Sequence, residues 1–335
     1  MNDDRILLGH GSGGRLSRQL IAEEIIPRFG AGPLKGLPDA AALELATPRI
    51  RFTTDSFVVH PLEFPGGNIG DLAVHGTVND LAVAGAIPRW LGLGLILEEG
   101  LPLATLRRVL DAVKRAADAC GVIVATGDTK VVQRGQCDGL YINSSGIGEA
   151  IPELALARER IAVGDHLLVS GTLGDHGAAV LAAREGFAID QGPVSDSRPV
   201  HRLVQAIAPL GQAIRFMRDP TRGGLAATLN ELVDEQKIGI QVQENDLPFA
   251  PATRALAEML GLDLLHAPSE GCLLLVCAPE VTAMILDRWH ALPEGVNARH
   301  IGRVSDQAGR VILTTAIGGQ RIIDLPGGEL LPRIC

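Results

Sequence analysis

Four aspartates lie in sequence settings unlike those of a solvated surface. Asp55 ends a predicted strand, Asp80 lies inside an apolar helical segment, and Asp128 follows a short buried strand. Asp219 stands in the run Arg-Asp-Pro-Thr-Arg-Gly-Gly. Carboxylates at strand ends suit Mg²⁺, which prefers oxygen ligands and keeps several waters while it bridges phosphates. Each aspartate alone is more often a helix cap or a turn residue, but together they favour a magnesium–phosphate site.

Two glycine-rich segments could place backbone N–H groups around an anion. The first, residues 9–14, reads Gly-His-Gly-Ser-Gly-Gly and precedes a predicted helix, whose N-terminus would add a positive dipole end. It is not a Walker A loop, because no Gly-Lys-Ser/Thr follows, and not a Rossmann fingerprint, because no strand precedes it. On its own it could equally be a flexible leader. The second, residues 222–224, follows Asp219 and indicates another anion contact, so we expect a nucleotide between the two halves of the chain.

Lys130 and Glu270 are candidates for proton transfer. Lys130 follows Asp128 by two residues, so the two side chains share a face in an extended segment, where the lysine could contact phosphate or move protons. An exposed surface lysine is the alternative. Glu270 precedes the buried strand that starts at Cys272, and a partly buried glutamate with a raised pKa would serve as a base. A turn carboxylate is the alternative for that residue.

Asp71, His75 and Asn79 form a stripe at the i, i+4, i+8 spacing of one helix face. A metal site would need a further ligand on this stripe, and the sequence places none there. We therefore interpret the stripe as a polar seam or an interface.

The chain ends in Pro-Arg-Ile-Cys, so Cys335 would sit on an arm that follows the Gly-Gly pairs at 318–319 and 327–328. The α-carboxylate beside this thiol is expected to raise its pKa, and Arg333 offsets that effect only in part. Such a thiol is better suited to being loaded by another protein than to attacking on its own. An incidental terminal cysteine is the alternative. The other four cysteines show no Cys-x-x-Cys spacing and are expected to be buried, without zinc or disulfide.

The composition limits the classes of function. A chain of 335 residues suits two domains of about 150 residues each. The net charge of −9 disfavours nucleic acid and anionic membranes as partners, and it requires any nucleotide site to recruit cations. No run of ~20 apolar residues could span a bilayer, and no signal-peptide pattern follows Met1. A cytoplasmic location is therefore expected.

Hydrophobic periodicity predicts the elements that must position these residues. In the first half they are a helix over 15–28, a loop over 30–39, strands over 43–47 and 50–54, a helix over 68–84 with Asn68 as its N-cap, a strand over 90–97, a helix over 102–119 that ends at Gly121, and strands over 122–125 and 139–147. In the second half they are strands over 166–170, 238–243, 273–277, 299–304 and 310–315 and helices over 175–185, 198–208, 222–236, 251–261 and 280–290.

These elements lack the steady strand–helix alternation of a doubly wound sheet, so the pattern predicts an α+β fold in two domains. We place the boundary in the charged segment 150–164. The predicted organisation is a glycine-rich segment and helix over 1–35, an N-terminal domain over 36–152, a C-terminal domain over 153–317 and a flexible tail over 318–335 that ends in Cys335.

Several segments together carry a resemblance to one family. They are G-H-G-S-G-G-R at 9–15, T-T-D-S-F-V-V-H-P-L at 53–62, F-P-G-G-N-I-G at 64–70, G-T-V-N-D-L-A-V-A-G-A at 76–86, G-D-T-K-V-V-Q-R-G at 127–135, D-P-T-R-G-G-L at 219–225 and the terminal P-R-I-C. Over nearly its whole length the chain resembles the HypE family of [NiFe]-hydrogenase maturation proteins. That family is similar to the PurM-like superfamily, which includes aminoimidazole ribotide synthetase and selenophosphate synthetase. The resemblance implies a two-domain PurM-like fold that uses ATP between its domains and dimerises through N-domain strands.

The resemblance also implies a reaction and partners. A carbamoyltransferase, HypF, would load a carbamoyl group on Cys335, and ATP would drive dehydration of this S-carboxamide to a thiocyanate. The cyano group would then pass to iron on a HypC–HypD scaffold. The implied cofactors are ATP and Mg²⁺, and the implied assembly is a cytoplasmic homodimer.

The resemblance assigns a role to each candidate residue. Cys335 carries the reacting group. Mg²⁺–ATP is implied to be held by Asp55, Asp80 and Asp219. ATP is implied to be covered or contacted by Gly11, Gly13, Gly14, Asn79 and Thr129. Proton transfer and oxyanion neutralisation are implied for Lys130, Asp128 and Glu270.

Two positions bear on which relative is the better guide. Selenophosphate synthetase has a reactive Cys or selenocysteine in its glycine-rich loop, whereas this loop has Ser12 and no thiol. Ser269 stands where an Asn is expected before the Glu-Gly pair, which makes the local contact of Glu270 harder to foresee.

Two other functions stay open on the residues alone: a PurM-like kinase or ligase acting on a free small molecule, and a nucleotide-gated thiol carrier without catalysis.

Overall fold

The structure is a computed structural model that describes residues 5–30, 32–187, 189–234 and 236–325, and it separates into two units. The described part of the first unit comprises residues up to Leu81 and Ala86–Ala150, and that of the second comprises Ala82–Gly85 and 151–325. The first unit contains α1 (Arg15–Leu20), α2 (Ile26–Phe29), β1 (Ile50–Phe57), β2 (Glu63–Phe64), β3 (Gly67–Asn68), most of α3 (Ile69–Val83), β4 (Ala86–Glu98), α4 (Leu103–Cys120), β5 (Ile123–Val132) and β6 (Leu140–Ala150).

Four of these strands form the sheet at the centre of the first unit, in the order β1-β6-β4-β5. β6 is antiparallel to both neighbours, whereas β4 and β5 are parallel and are joined by α4. α4 ends where the sequence predicts, because Gly121 takes a left-handed conformation with φ of 67°. At the start of α3 the side chain of Asn68 accepts the N–H of Gly70 at 2.8 Å, which is the predicted cap.

The two faces of this sheet differ in burial. Helix α3 covers one face, where Thr77 bonds to Ser144 of β6, and β4 buries a row of leucines there: Leu91, Leu93, Leu95 and Leu97. On the other face the strand register aligns Phe52, Ile147, Trp90 and Ile123 in one row. Phe52 is 66% exposed and Ile123 is 48% exposed, so this open face presents an apolar row to its surroundings.

The N-terminal segment forms a helical run over residues 15–29, with a π-helical turn at Ile21–Ile25 between α1 and α2. Glu24 in this turn is buried and accepts hydrogen bonds from Arg107 at 2.8 Å and from Arg28 at 3.3 Å. Before the run, the N–H of Ile6 donates to Leu101 O at 2.8 Å. The segment predicted as a possible flexible leader is therefore docked on α4 and the loop before it.

The second unit is built on a seven-stranded sheet in the order β13-β12-β9-β11-β7-β10-β8. Its elements are β7 (His166–Val169), α5 (Asp175–Arg184), α6 (His201–Ile207), β8 (Ile214–Arg218), α7 (Gly224–Val233), β9 (Gly239–Gln243), α8 (Pro251–Leu260), β10 (Leu274–Cys277), α9 (Thr282–His290), β11 (Arg299–Ser305), β12 (Val311–Thr314) and β13 (Gln320–Ile322). Only β9 and β12 are parallel neighbours among these described strands. The mixture of sheets and helices confirms the α+β prediction.

Several local predictions differ from the structure. The strand predicted over 122–125 continues to Val132, so Asp128 lies within β5 and does not follow it. Strands β2 and β3 were not predicted. Residues 43–47 form no strand, because the N–H of Ala46 donates to the side chain of Glu149 at 2.7 Å and not to a neighbouring strand. Strand β8 was not predicted from the sequence. The arm expected from residue 318 starts instead with β13, which pairs with β12. Cys335 and the rest of residues 326–335 lie outside the described residues.

Cys120, Cys137, Cys272 and Cys277 are all buried and free, as their spacing predicts. Burial raises the pKa of the Cys120 thiol to about 12 and that of Cys272 to about 11, so neither is a ready thiolate at neutral pH. None of the helices in the described ranges has the length and apolar character needed to cross a bilayer.

We predict that Glu24→Ala will lower the free energy of unfolding by about 2 kcal/mol, because the variant loses charge-assisted hydrogen bonds to two arginines. The measurement is urea denaturation followed by circular dichroism. Lys114→Ala is the control, since the exposed pair of Lys114 with Asp118 is expected to contribute less than about 0.5 kcal/mol. Equal losses in the two variants would contradict the docking role of Glu24.

Candidate functional site

Asp55 and Asp80 lie on the helix-covered side of the first unit's sheet. Asp55 is paired in register with Ser144, whose hydroxyl bonds to α3, so the two side chains share that face. Thr53, two residues earlier on β1, donates its hydroxyl to Asp80 Oδ2 at 2.8 Å. Asn79, next to Asp80 on α3, is buried. Strand β1 and helix α3 thus bring carboxylate oxygens from two elements to one side of the sheet.

Asp128 and Lys130 lie on the open face. Asp128 is paired in register with Gly94, which alternates with the buried Leu93 and Leu95. Lys130 Nζ lies 3.1 Å from Asp128 Oδ2, and both side chains are 66% exposed. The hydrogen bond from Lys130 lowers the pKa of Asp128, so this carboxyl is ionised at neutral pH. The pair therefore does not share a surface with Asp55 and Asp80 within this unit.

A cavity of about 290 Å³ lies between the N-terminal segment and β5. Its polar end is formed by the glycine-rich loop and the middle of β5, and its apolar part by side chains of the helical run, β4 and α4; the lining includes His10, Gly11, Gly13, Thr129, Lys130, Leu20, Phe29, Leu93 and Leu110. A Cβ on Gly11 would lie 2.7 Å from the backbone nitrogen of Val131. Any larger residue at this position would push the loop away from β5.

Side chains of α1 and of the loop itself accept backbone N–H groups in and beside the glycine-rich loop. The N–H of Gly13 donates to Ser17 Oγ at 2.9 Å, and Gly13 has a φ of 76°, which favours glycine. Gly14 is the residue before α1. His10 is buried, and its Nδ1 accepts the N–H of Leu7 at 2.9 Å. The sequence interpretation overlooked His10 and the apolar lining, because nothing in the sequence links the helical run to β4.

The second unit brings the segments of Asp219 and Glu270 together. The N–H of Ser269 donates to Pro220 O at 3.0 Å, so the turn of Glu270 adjoins the residue after Asp219. Both acidic side chains are buried, with Glu270 only 3% exposed. Asp196 accepts the N–H groups of Glu270 and Gly271, a contact that the sequence could not indicate across 74 residues. Burial raises the pKa of Asp196, and these two N–H groups oppose the rise.

The second glycine-rich segment has a structural explanation. Gly224 begins α7 with a φ of 62°, and a Cβ there would lie 2.6 Å from Ala267 O and 2.6 Å from Leu265 O. Glycine at this position allows the helix to pack closely on the loop before Glu270. Close packing therefore explains Gly224 without the anion-binding corner that the sequence predicts over residues 222–224.

Oxygen ligands for Mg²⁺ are present on the helix-covered side of the first unit's sheet. The structure describes residues 5–325 except 31, 188 and 235. Among these residues, no three His, Cys, Asp or Glu side chains form a group that could hold a metal. Mg²⁺ is commonly bound through one or two carboxylates and the phosphates of a nucleotide, so such a group is not required. Asp55 and Asp80 fit this mode, and the hydroxyl of Thr53 orients Asp80.

Both units match known domain families. Residues 38–150 match the family described as AIR synthase related protein, N-terminal domain. Residues 162–314 match the family described as AIR synthase related protein, C-terminal domain. The fold and the two matches define a protein of the AIR synthase-related class.

Similarity over nearly the full length narrows this class. Carbamoyl dehydratase HypE of Bradyrhizobium diazoefficiens is 46% identical over 330 residues, which cover 98% of this chain and 95% of that protein. The crystal structure of hydrogenase maturation protein HypE in complex with ATP matches with a TM-score of 0.94 and 42% identity, covering 98% of this chain and 99% of that one. A chain in the crystal structure of a HypE–HypF complex matches with a TM-score of 0.81 and 39% identity, over 92% of this chain and 99% of that one. The chain belongs to the HypE family of carbamoyl dehydratases, which confirms the resemblance and its two-domain PurM-like fold.

We predict that Lys130→Met will raise the pKa of Asp128 toward its ordinary value of 3.8, because the variant loses the hydrogen bond that lowers it. In the wild-type chain the ion pair stabilises the fold above the unfolded pKa, and this contribution is lost as the pH falls through the lower folded pKa. The measurement is a carboxyl NMR titration. Glu63, whose pKa is lowered by Arg108, is the internal control and should titrate unchanged. An unchanged Asp128 titration would refute the pairing.

Proposed function

We propose that this chain catalyses the ATP-dependent dehydration of an S-carboxamide carried on Cys335 to a thiocyanate, which supplies cyanide ligands for the iron of a [NiFe]-hydrogenase. The observation that carries the proposal is the full-length identity to carbamoyl dehydratases. Cys335 supports it, because this residue supplies the thiol that such a reaction needs.

The chemistry explains why ATP is required. An amide oxygen is a poor leaving group, so the carboxamide oxygen first attacks the γ-phosphorus of ATP and ADP leaves. The oxygen then departs as phosphate while the nitrogen loses its protons and the C≡N bond forms. The net change moves one oxygen from the carboxamide to phosphate, and the thiol sulfur keeps its bond to carbon throughout. The protein must therefore neutralise phosphate charge and accept protons from nitrogen.

The first unit offers the groups for the phosphates. Asp55 and Asp80 would hold Mg²⁺, which would neutralise charge on the phosphoryl oxygens. Asn79 would support the same side from α3. The remaining proposed ATP contacts are Gly11, Gly13, Gly14 and Thr129. Their position along the polar end of the cavity supports this assignment for Gly11, Gly13 and Thr129, since all three line it.

Lys130, Asp128 and Glu270 are the proposed proton-transfer and charge-neutralising groups. Because Lys130 and Asp128 lie on the opposite face of the sheet from Asp55 and Asp80, this proposal requires that the reacting groups be reached from both faces. The lowered pKa of Asp128 makes it a weak base, so its better role is to orient the ammonium of Lys130 toward a developing oxyanion. Glu270 is the stronger candidate for the base, because it is buried. Asp219, in the segment bonded to the same turn, is proposed as the second unit's contribution to Mg²⁺–ATP.

The proposed partners follow from the reaction. HypF would load Cys335, and the similarity to a chain of a HypE–HypF complex supports this partner. A HypC–HypD scaffold would accept the cyano group, and the reaction would take place in the cytoplasm. Nucleic acid is not expected as a partner of a chain with a net charge of −9.

A homodimer through the open face of the first unit is also proposed. The apolar row of Phe52, Ile147, Trp90 and Ile123 is followed along the strands by polar residues, including Thr54, Ser56 and Asn143. A surface with exposed apolar residues beside hydrogen-bonding groups suits association with a second copy of the same face.

We predict that Cys335→Ala will abolish thiocyanate formation while ATP binding is retained, because the variant loses only the carrier atom. With wild-type chain, HypF, carbamoyl phosphate and ATP, intact-mass analysis should show carbamoylation of Cys335 and then the loss of one water. Full turnover by Cys335→Ala would reject the proposal in favour of a kinase acting on a free small molecule. Loading without loss of water would favour a carrier without catalysis.

We predict that Asp80→Asn will weaken Mg²⁺-dependent ATP binding at least tenfold, because the carboxylate loses its charge, with little change in unfolding free energy. Isothermal titration calorimetry and urea denaturation test the two parts. Thr53→Val is the matched variant and should have a smaller effect, since it removes only the hydroxyl that orients Asp80. An unfolded Asp80→Asn chain would make Asp80 a structural residue and the metal assignment wrong.

We predict that Phe52→Asp will convert a dimer into a monomer, because it places a charge on the most exposed side chain of the proposed apolar row. Size-exclusion chromatography with light scattering measures the mass. Met284→Asp is the control, since Met284 is 46% exposed in the second unit and lies outside the open face. Persistence of the dimer in Phe52→Asp would contradict this interface.

A further inference from the structure

The turn that carries Glu270 is held by a buried carboxylate to which the proposed reaction gives no role. Asp196 Oδ1 accepts the N–H of Glu270 and the N–H of His176, each at 3.1 Å. Asp196 Oδ2 accepts the N–H of Gly271 at 3.0 Å. One side chain therefore fixes two consecutive amides of the turn and ties them to the first residues of α5.

The backbone of the turn also packs closely on the segment of Asp196. A Cβ on Gly271 would lie 1.8 Å from Asp196 O and 2.5 Å from Arg198 Cγ, so only glycine fits. Arg198 Nε donates to Gly271 O at 3.1 Å. The turn is thus bonded through both the N–H and the C=O of Gly271.

Ser269 holds the other end of the turn. Its Oγ accepts the N–H of Gly174 at 2.8 Å, and its own N–H donates to Pro220 O at 3.0 Å. Glu270 therefore lies between two fixed neighbours, and its side chain is 3% exposed. The backbone that carries this carboxylate therefore has little freedom to move.

We propose that Asp196 is a positioning residue for Glu270, whose backbone it holds so that the Glu270 carboxylate is directed at the proton to be removed. This inference rests on the proposed role of Glu270 as a base. A misplacement of about 1 Å can lower a rate about 10²-fold, so the position of the turn is worth as much as the identity of the base.

Asp196→Asn tests the proposal, because the amide keeps the shape but puts an NH₂ donor against a backbone N–H. We expect kcat, taken as the rate constant at saturating ATP in single-turnover kinetics on chain carbamoylated at Cys335, to fall about 10²-fold. The ATP concentration that gives half of the maximal rate should be unchanged. In a Glu270→Gln background the same substitution should lower kcat no further. A residue that acts only through Glu270 has nothing left to act on there.

Asp175→Asn is the matched control. Asp175 is also buried, but it accepts hydroxyls of Thr172 and Thr253 and bonds no amide of the Glu270 turn. Its effect on kcat should multiply with that of Glu270→Gln. If Asp196→Asn does not fold, Ser269→Ala replaces it, with an expected several-fold loss of kcat that disappears in the Glu270→Gln background.

The outcomes separate this inference from the proposed function. The positioning role alone would be overturned if the effects of Asp196→Asn and Glu270→Gln on kcat multiply. It would also be overturned if Asp196→Asn is fully active while Glu270→Gln is impaired. Full activity of Glu270→Gln would overturn both that role and the assignment of Glu270 as a base.

Discussion

The alternation of side chains across the four-stranded sheet decides what the first unit can do. Successive residues of a strand point to opposite faces, so burying one face under helices leaves the other exposed. The leucines of β4 commit their face to the core, and the register then fixes every partner across β1, β5 and β6. Asp55 falls on the helix side and Asp128 on the open side as a direct result. A shift of one residue in β1 would move Asp55 to the open face, and a shift of one residue in β5 would move Asp128 to the helix side.

The second unit differs from the first because it buries acidic side chains away from water. An isolated buried carboxylate is costly, and its pKa rises unless hydrogen bonds favour the charged form. At Asp196 backbone N–H groups offset this cost in part, although burial still raises its pKa. Such bonds also make the loops rigid, so the same arrangement that permits burial gives Glu270 a defined position.

Positive charge is scarce in this chain, although the proposed chemistry needs it. The chain has a net charge of −9, yet its co-substrate would be an anion. Local cations and backbone dipoles must therefore do what the overall field cannot. The first unit contains Lys130, the carboxylates suited to Mg²⁺ and the close approach of Gly11 to β5. The polar end of the cavity lies in the same unit. The thiol itself needs no activation in this chemistry, because its sulfur keeps one bond to carbon from loading to transfer.

The sequence by itself determined the element types, the α+β class and the family, because periodicity, glycine caps and long motifs are local signals. It also placed Asp128 and Lys130 on one face through their spacing. It failed at residues 43–47, where the N–H of Ala46 bonds to a side chain far away in the chain, and at β13, a short hairpin strand next to β12 that follows the glycine pair expected to start a flexible arm. Only the tertiary structure decided that Asp55 and Asp128 lie on opposite faces, that Gly224 serves packing, and that Asp196 holds the turn of Glu270. Each of these depends on strand register or on contacts across many tens of residues, and one sequence carries no local signal for either.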